Sequence, residues 1–348
     1  MRKTPLAAIA VLVAGLLAAT APDAGATMPG ERIWLESYLS FPVEDVALTS
    51  AMMGYLGHVK QVTLTFRIAA GPGPEISRRT VTRFHEDGRI LDETDTDLNT
   101  ASTSFHASYF YGERREITRI VRENYAAKET ETIDFAYDAA DFLVGAAFRT
   151  NGELRKSVEI ANSSAGRPVR VLTRLADGRV QSEMTSEYSD DGVTLDYVSA
   201  SGASHVTTTF ELDAQGRPLS AQTARRDRAS EVDYDGQYRY IYLPDGRKLF
   251  HGVEHYSNAT PPAQCVFDRE FFANGGVKSS SVAGNHVTCP TSSAVKPEVA
   301  LDGEGNFIHT RLGHYDRVYQ IEYFNAPAVG ARAGGPMFAN QSDRTLQR

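Results

Sequence analysis

Residues 251–255 read His-Gly-Val-Glu-His, the order in which an inverted zinc peptidase sets two imidazoles and a carboxylate over one metal. That chemistry needs a helix, because only there do side chains four positions apart lie side by side. Gly252 and Val253 are poor helix formers, and the preceding phrase YLPDGRKLF reads as a hairpin. On a strand His251 and His255 would stand about 13 Å apart, four steps of about 3.3 Å. They could not share a zinc ion held at about 2 Å from each nitrogen. A second cluster, Asp92, Asp95, Asp97 and Asn99, lacks the glycine that a calcium loop places at its sixth position. It reads as a solvated hairpin tip. There is no G-x-S-x-G elbow and no phosphate-loop or dinucleotide fingerprint, and the remaining histidines are scattered. No catalytic residue, metal site or cofactor is therefore assigned.

Aromatic residues form the more informative pattern. Tyr234, Tyr238, Tyr240 and Tyr242 share parity, with Arg239 on the opposite side, and Phe105, Tyr109 and Tyr111 repeat the idea. Such phenol rings can stack on sugars or hold a partner's apolar groups. They can equally pair across strands inside a core, the expected place, since a wide sheet must hide one face. The four tyrosines are the candidate binding residues. Cys265 and Cys289 are the two cysteines, and in an exported chain they most simply form one disulfide. Its closure would be worth roughly 3–4 kcal/mol.

Export is expected from the start of the chain. Arg2 and Lys3 precede the apolar run Leu6–Ala19, and Ala24-Gly25-Ala26 offers small residues for cleavage. Residues 1–26 read as a secretory signal peptide. No later segment is apolar over the length that a spanning helix needs, so the mature chain is not expected to span a membrane. A net charge of −8 argues against nucleic acid or an anionic membrane as the main partner.

The elements that must position these residues are announced by a degenerate repeat. Short strand-like phrases surround Gly88, Gly152, Gly178, Gly192, Gly216, Gly246, Gly275 and Gly305. Asn-Gly and Asp-Gly pairs accept the positive φ of tight turns. The flanks alternate with period two, as in Val62-Leu64-Phe66-Ile68, Ile133-Phe135-Tyr137 and Tyr319-Ile321-Tyr323. One hairpin cannot bury its apolar face alone, so successive units must pair edge to edge. The expected fold is all-β: an extended antiparallel sheet of consecutive hairpins, curled or partly closed. Residues 61–325 form it, after a segment 27–60 with a short helix over 43–56 and before a flexible tail, 326–348. The alternative is two β-sandwich domains meeting near residue 200.

TFELDAQGRPLS and YIYLPDGRKL resemble the YD (RHS-type) repeat, whose Tyr/Phe-Asp-x-x-Gly-Arg core sits at a hairpin; REFFANGGVKSSS is similar to the related repeats of MORN-variant antitoxin-like proteins. The resemblance covers about residues 80–310. An arginine follows the glycine at Gly88, Gly178, Gly216 and Gly246, but the aromatic-Asp pair is broken at Leu212-Asp213 and Phe272-Ala273. The resemblance implies an extended antiparallel sheet and carries no common catalytic residue. The functional expectation is an exported, non-enzymatic scaffold or binding module of the cell envelope, meeting a glycan or a protein. The alternatives are a secreted hydrolase whose carboxylates converge in a sheet cleft, and a periplasmic carrier of an apolar ligand.

Overall fold

The computed structural model describes Ser50 and residues 55–68, 76–113, 116–140, 142–164, 168–189, 191–199, 202–213, 217–227, 232–244, 246–257, 263–272, 277–284, 293–295, 297–312 and 315–324. The signal peptide, nearly all of the helix expected over 43–56, the tail and Cys289 lie outside them. Every regular element among the described residues is a strand. In chain order the first are β1 (Val59–Ile68), β2 (Ile76–Phe84), β3 (Ile90–Asp97), β4 (Ser102–Tyr111), β5 (Ile117–Asn124), β6 (Glu129–Tyr137) and β7 (Leu143–Thr150). Then come β8 (Glu153–Asn162), β9 (Pro168–Leu175), β10 (Val180–Tyr188), β11 (Gly192–Ser199), β12 (Ser204–Leu212), β13 (Pro218–Asp227) and β14 (Val232–Tyr242). The last are β15 (Lys248–Tyr256), β16 (Ala263–Phe271), β17 (Val277–Gly284), β18 (Ser293–Val295), β19 (Glu298–Leu301), β20 (Phe307–Leu312) and β21 (Tyr315–Tyr323).

The chain divides into two compact units, one holding residues 158–295 and the other 47–157 together with 296–334. β11 and β12, the strands on either side of residue 200, pair with each other from Gly192↔Glu211 to Val198↔His205. The hairpin ladder keeps both strands in one sheet.

The turns explain the repeat. At His85–Arg89, Leu175–Arg179, Leu243–Arg247 and Asp302–Asn306, the first residue's N–H donates to the carbonyl of the fifth. The glycine between them donates back to the first residue's carbonyl, at φ 84°, 83°, 84° and 91° respectively. That is a type I turn followed by a left-handed glycine, a conformation a Cβ would strain. The aspartate's side chain then accepts the N–H of the arginine beyond the glycine, at 3.2 Å for Asp87–Arg89 and 3.0 Å for Asp177–Arg179. The guanidinium that follows stacks on the tyrosine ending the next strand but one. Arg89 lies 4.4 Å from the Tyr111 ring centre, and Arg217 lies 4.2 Å from that of Tyr242. Three strand-ending tyrosines also tie back to the start of the preceding strand: Tyr111 donates to the carbonyl of Ile90, Tyr137 to that of Ile117 and Tyr188 to that of Pro168. At Tyr111 turn chemistry and strand pairing are thus locked together. Gly192 departs from the expectation. It opens β11 without a positive φ, and glycine is needed there because a Cβ would come within 2.5 Å of the Phe210 carbonyl oxygen. Gly216 and Gly275 lie outside the described residues, though the strands flanking each pair as hairpins.

In the unit that joins residues 47–157 to 296–334, β7 to β1 pair in succession, and β1 also pairs with β21. Val62 therefore faces Thr82 on one side and Ile321 on the other. β20 and β19 extend the sheet beyond β21. A buried side chain secures this long-range closure. The Asn306 amide accepts the Leu56 N–H at 2.6 Å, donates to the Leu56 carbonyl at 2.8 Å and donates to the Tyr323 hydroxyl at 2.8 Å. It substitutes for a strand neighbour where the ladder has not yet begun.

The other unit is a meander. From β9 through β18 each strand pairs antiparallel with the next. Its burial alternates with period two, so that in β15 and β16 every second residue is hidden. No described helix is long and apolar enough to cross a membrane.

Candidate functional site: the buried charged face of the central meander

Register brings one residue from each strand into rows across the hidden face. Arg225, Tyr234, Tyr256 and Ala263 form one row, and Thr223, Gly236, Glu254 and Cys265 the next. Ala221, Tyr238, Gly252 and Phe267 follow, then Tyr240, Phe250 and Arg269, then Tyr242, Lys248 and Phe271. Tyr234, Tyr238 and Tyr240 are 2 %, 4 % and 3 % exposed, so three candidate binding tyrosines are core residues; Tyr242 is half-buried. Tyr234 packs on Tyr256 with ring centres 5.4 Å apart, and Phe250 receives both Tyr238 and Tyr240. Among the described residues of β12–β16, the exposed positions carry no Phe, Tyr or Trp.

Four charged residues share this hidden face. Glu254 is 1 % exposed, Arg225 2 %, Lys248 6 % and Arg269 9 %. Glu254 accepts the Tyr238 hydroxyl on one oxygen at 2.8 Å and the Tyr256 hydroxyl on the other at 2.6 Å. Burial raises its pKa, and the two phenol donors with Arg269 and Arg225 oppose that rise. Tyr238 is pushed well above its ordinary value, first by burial and then by Tyr234 and Glu254. The Tyr234 hydroxyl makes no hydrogen bond of good geometry, yet it lies close enough to Arg225 and Tyr238 for both to favour its ionised form against burial. Lys248 is pulled down to about 7, by burial first and then by Arg269. Its ammonium faces the Phe271 ring at 4.2 Å and the Tyr240 ring at 6.0 Å.

Two glycines let Tyr238 reach Glu254. A Cβ on Gly236 would meet the Tyr238 hydroxyl at 2.5 Å, and one on Gly252 would meet Tyr238 Cδ1 at 2.7 Å and Phe250 Cζ at 3.1 Å. The phenol ring therefore lies flat over bare backbone. Gly252→Ala is expected to lift that ring, break its bond to Glu254 and cost about 1–3 kcal/mol. Chemical denaturation read by tyrosine fluorescence checks this. A loss under about 0.5 kcal/mol, the scale of an ordinary surface substitution, would contradict the packing.

The His-Gly-Val-Glu-His motif is split by the strand. His251 and His255 are exposed on one side of β15 while Glu254 is buried on the other. His251 Nδ1 instead meets Asp268 across the ladder at 2.7 Å. That outer face is a lattice of such pairs, including Arg170–Glu183, His205–Asp196, Arg226–Asp235 and Arg247–Glu270–Lys278. The acidic cluster is likewise dispersed. Asp92 holds Arg83 through two contacts, and Asp97 caps the turn by accepting the N–H groups of Asn99 and Thr100. Among the described residues no group of three metal-binding side chains converges.

Sequence reasoning missed Arg225, Lys248, Arg269 and Tyr256. Their parity with the tyrosines was available within each strand. Their meeting depends on register between strands, which no local pattern specifies. Cys265 is fully buried, in the row containing Glu254.

No protein-family model matches the chain, and no curated protein does. Among solved structures, a porin-like protein from Bacteroides uniformis is similar at 10% identity and TM-score 0.36, covering 77% of this chain and 99% of that one. One from Bacteroides vulgatus is similar at 13% identity and TM-score 0.30, covering 78% and 100%. The TcdB2-TccC3-Cdc42 complex is similar at 12% identity and TM-score 0.29, covering 76% of this chain and 16% of that one. None of the three bears on function.

Proposed function

We propose that the chain is an exported, non-enzymatic scaffold or binding module of the cell envelope, built from degenerate YD-type hairpin units, with Cys265 and Cys289 joined as a disulfide. The observation that supports this best is the division of labour between the faces of the central meander. The aromatic stripe is consumed inside, and the outward face is a water-compatible lattice of cross-strand ion pairs. A sheet facing lipid needs an apolar outward band, and these strands carry charge there. A partner would therefore meet polar and charged side chains on an exposed face, while Tyr234, Tyr238 and Tyr240 keep that face in shape. A glycan or a protein both fit such a face.

The competing readings fit the hidden face less well. A carboxylate with both oxygens engaged by phenols and only 1 % exposed is not offered to a substrate. An apolar carrier needs an apolar lining, whereas Arg225, Glu254, Lys248 and Arg269 sit among the rings. Expression of the full chain in a Gram-negative host tests the proposal. We expect mature protein beginning near Thr27 outside the cytoplasm, with the two cysteines oxidised by intact mass, and a selective hit on a glycan array or in envelope crosslinking. Retention of Met1 in the cytoplasm would overturn export, and a co-purifying lipid in the native mass spectrum would overturn the scaffold reading.

A further inference from the structure

The unit that joins residues 47–157 to 296–334 holds a second arrangement that the scaffold reading does not use. On β4, His106 and Ser108 are two positions apart and share a face, and Ser108 Oγ lies 3.2 Å from His106 Nε2. The other ring nitrogen, Nδ1, lies 3.0 Å from Thr94 Oγ1 on β3. Strand register produces this meeting, since Thr94 is directly opposite His106, and Asp92 is directly opposite Ser108. His106, Ser108 and Thr94 are all partly exposed. Elsewhere His205, His251 and His309 each meet an aspartate. His106 instead stands between two hydroxyls. A proton on Nδ1 given to Thr94 leaves the Nε2 lone pair to accept from Ser108, the relation of nucleophile, base and orienting group.

We propose that Ser108 is an acyl-accepting nucleophile, with His106 as its general base and Thr94 as the residue that positions the base. The ligand class is an activated ester. Ser108 Oγ attacks the carbonyl carbon and forms the new C–O bond, its proton passes to His106 Nε2, and the alcohol or phenol departs with that proton. β4 is paired with β3 on one side and β5 on the other, so the backbone around Ser108 offers no ready oxyanion donor. Attack on the ester and later hydrolysis of the acyl-serine are both slowed, and only an activated ester reacts, leaving its acyl group in place.

p-Nitrophenyl acetate is the probe. The mature chain is expected to release about one equivalent of nitrophenol in a burst, leaving an acetyl group on Ser108 in the peptide mass map. Ser108→Ala abolishes the burst, and His106→Ala slows it by roughly 10²-fold or more. Thr94→Val also slows it, whereas Thr94→Ser restores it, a rescue that a purely structural role would not give. If His106→Ala fails to fold by circular dichroism, His106→Gln is read in its place. A wild-type chain that shows no burst, acetylation at another residue, or a rate indifferent to His106 would overturn the proposal. None of these outcomes depends on export or on the identity of an envelope partner, so those parts of the scaffold reading are tested separately; one acylation without turnover is also compatible with its non-enzymatic part.

Discussion

Glu254→Ala is expected to destabilise the protein by about 3–5 kcal/mol, because removing one member of a buried charged network strands the others. Two phenols lose their acceptor, and Arg225 and Arg269 lose the carboxylate that offsets them. Glu254→Gln should cost less, since an amide oxygen still accepts one phenol. Urea unfolding followed by circular dichroism measures both. A loss below about 1 kcal/mol for the alanine variant, no more than an average point substitution costs, would show that the cluster is not the keystone of this face. The pH dependence of this group follows from its raised pKa. A carboxyl that holds its proton more tightly when folded contributes most below its ordinary value of 4.5, and its contribution declines as pH climbs through the folded value.

Lys248→Met should act in the opposite direction. The chain folds with an amine whose pKa has fallen from 10.5 to about 7, under burial and the nearby Arg269. At neutral pH the unfolded chain binds that proton more tightly than the folded one does, so Lys248 costs stability, an amount on the order of 2–4 kcal/mol. Methionine fills the same aromatic slot between Tyr240 and Phe271 without a charge. It is therefore expected to raise stability by about that amount at pH 7. The wild type should gain stability as pH rises from about 7 toward 10, as the unfolded lysine loses its advantage, and Lys248→Met should flatten that rise. The groups facing the amine are Tyr240 and Tyr242 on β14 and Arg269 and Phe271 on β16. Both tyrosines have raised values, so above pH 10 the unfolded chain ionises first and stability falls again. A wild-type profile already flat between pH 7 and 10 would contradict the burial of Lys248.

Much of the fold was legible because its signals are local. Asp-Gly-Arg at 87–89 and 177–179 carries within a few residues the donor, the acceptor and the left-handed glycine that a turn requires. Period-two alternation marks the strands, and the parity of Tyr234, Tyr238 and Tyr240 marked one face. Gly192 misled because its glycine serves a close approach to Phe210 across the ladder, a demand with no local signature. Long-range pairing has no local signature either. The strand that returns to pair with β1 is β21, the last of the described chain, and nothing in either segment names the other.

By itself the sequence determined that the described part of the chain is strand and turn, where it reverses, and which side chains share a face of each strand. Backbone sterics and hydrogen-bond geometry act over a few residues, so those facts are written locally. Only the tertiary structure decided that Glu254 would be ringed by Tyr238, Tyr256, Arg225 and Arg269, that His251 and His255 would look away from it, and that Ser108 and His106 would meet Thr94. Those meetings depend on cross-strand register and on which strand lies next to which. Register is set by the packing of a whole face at once, where a slip of one residue would turn every side chain to the other side.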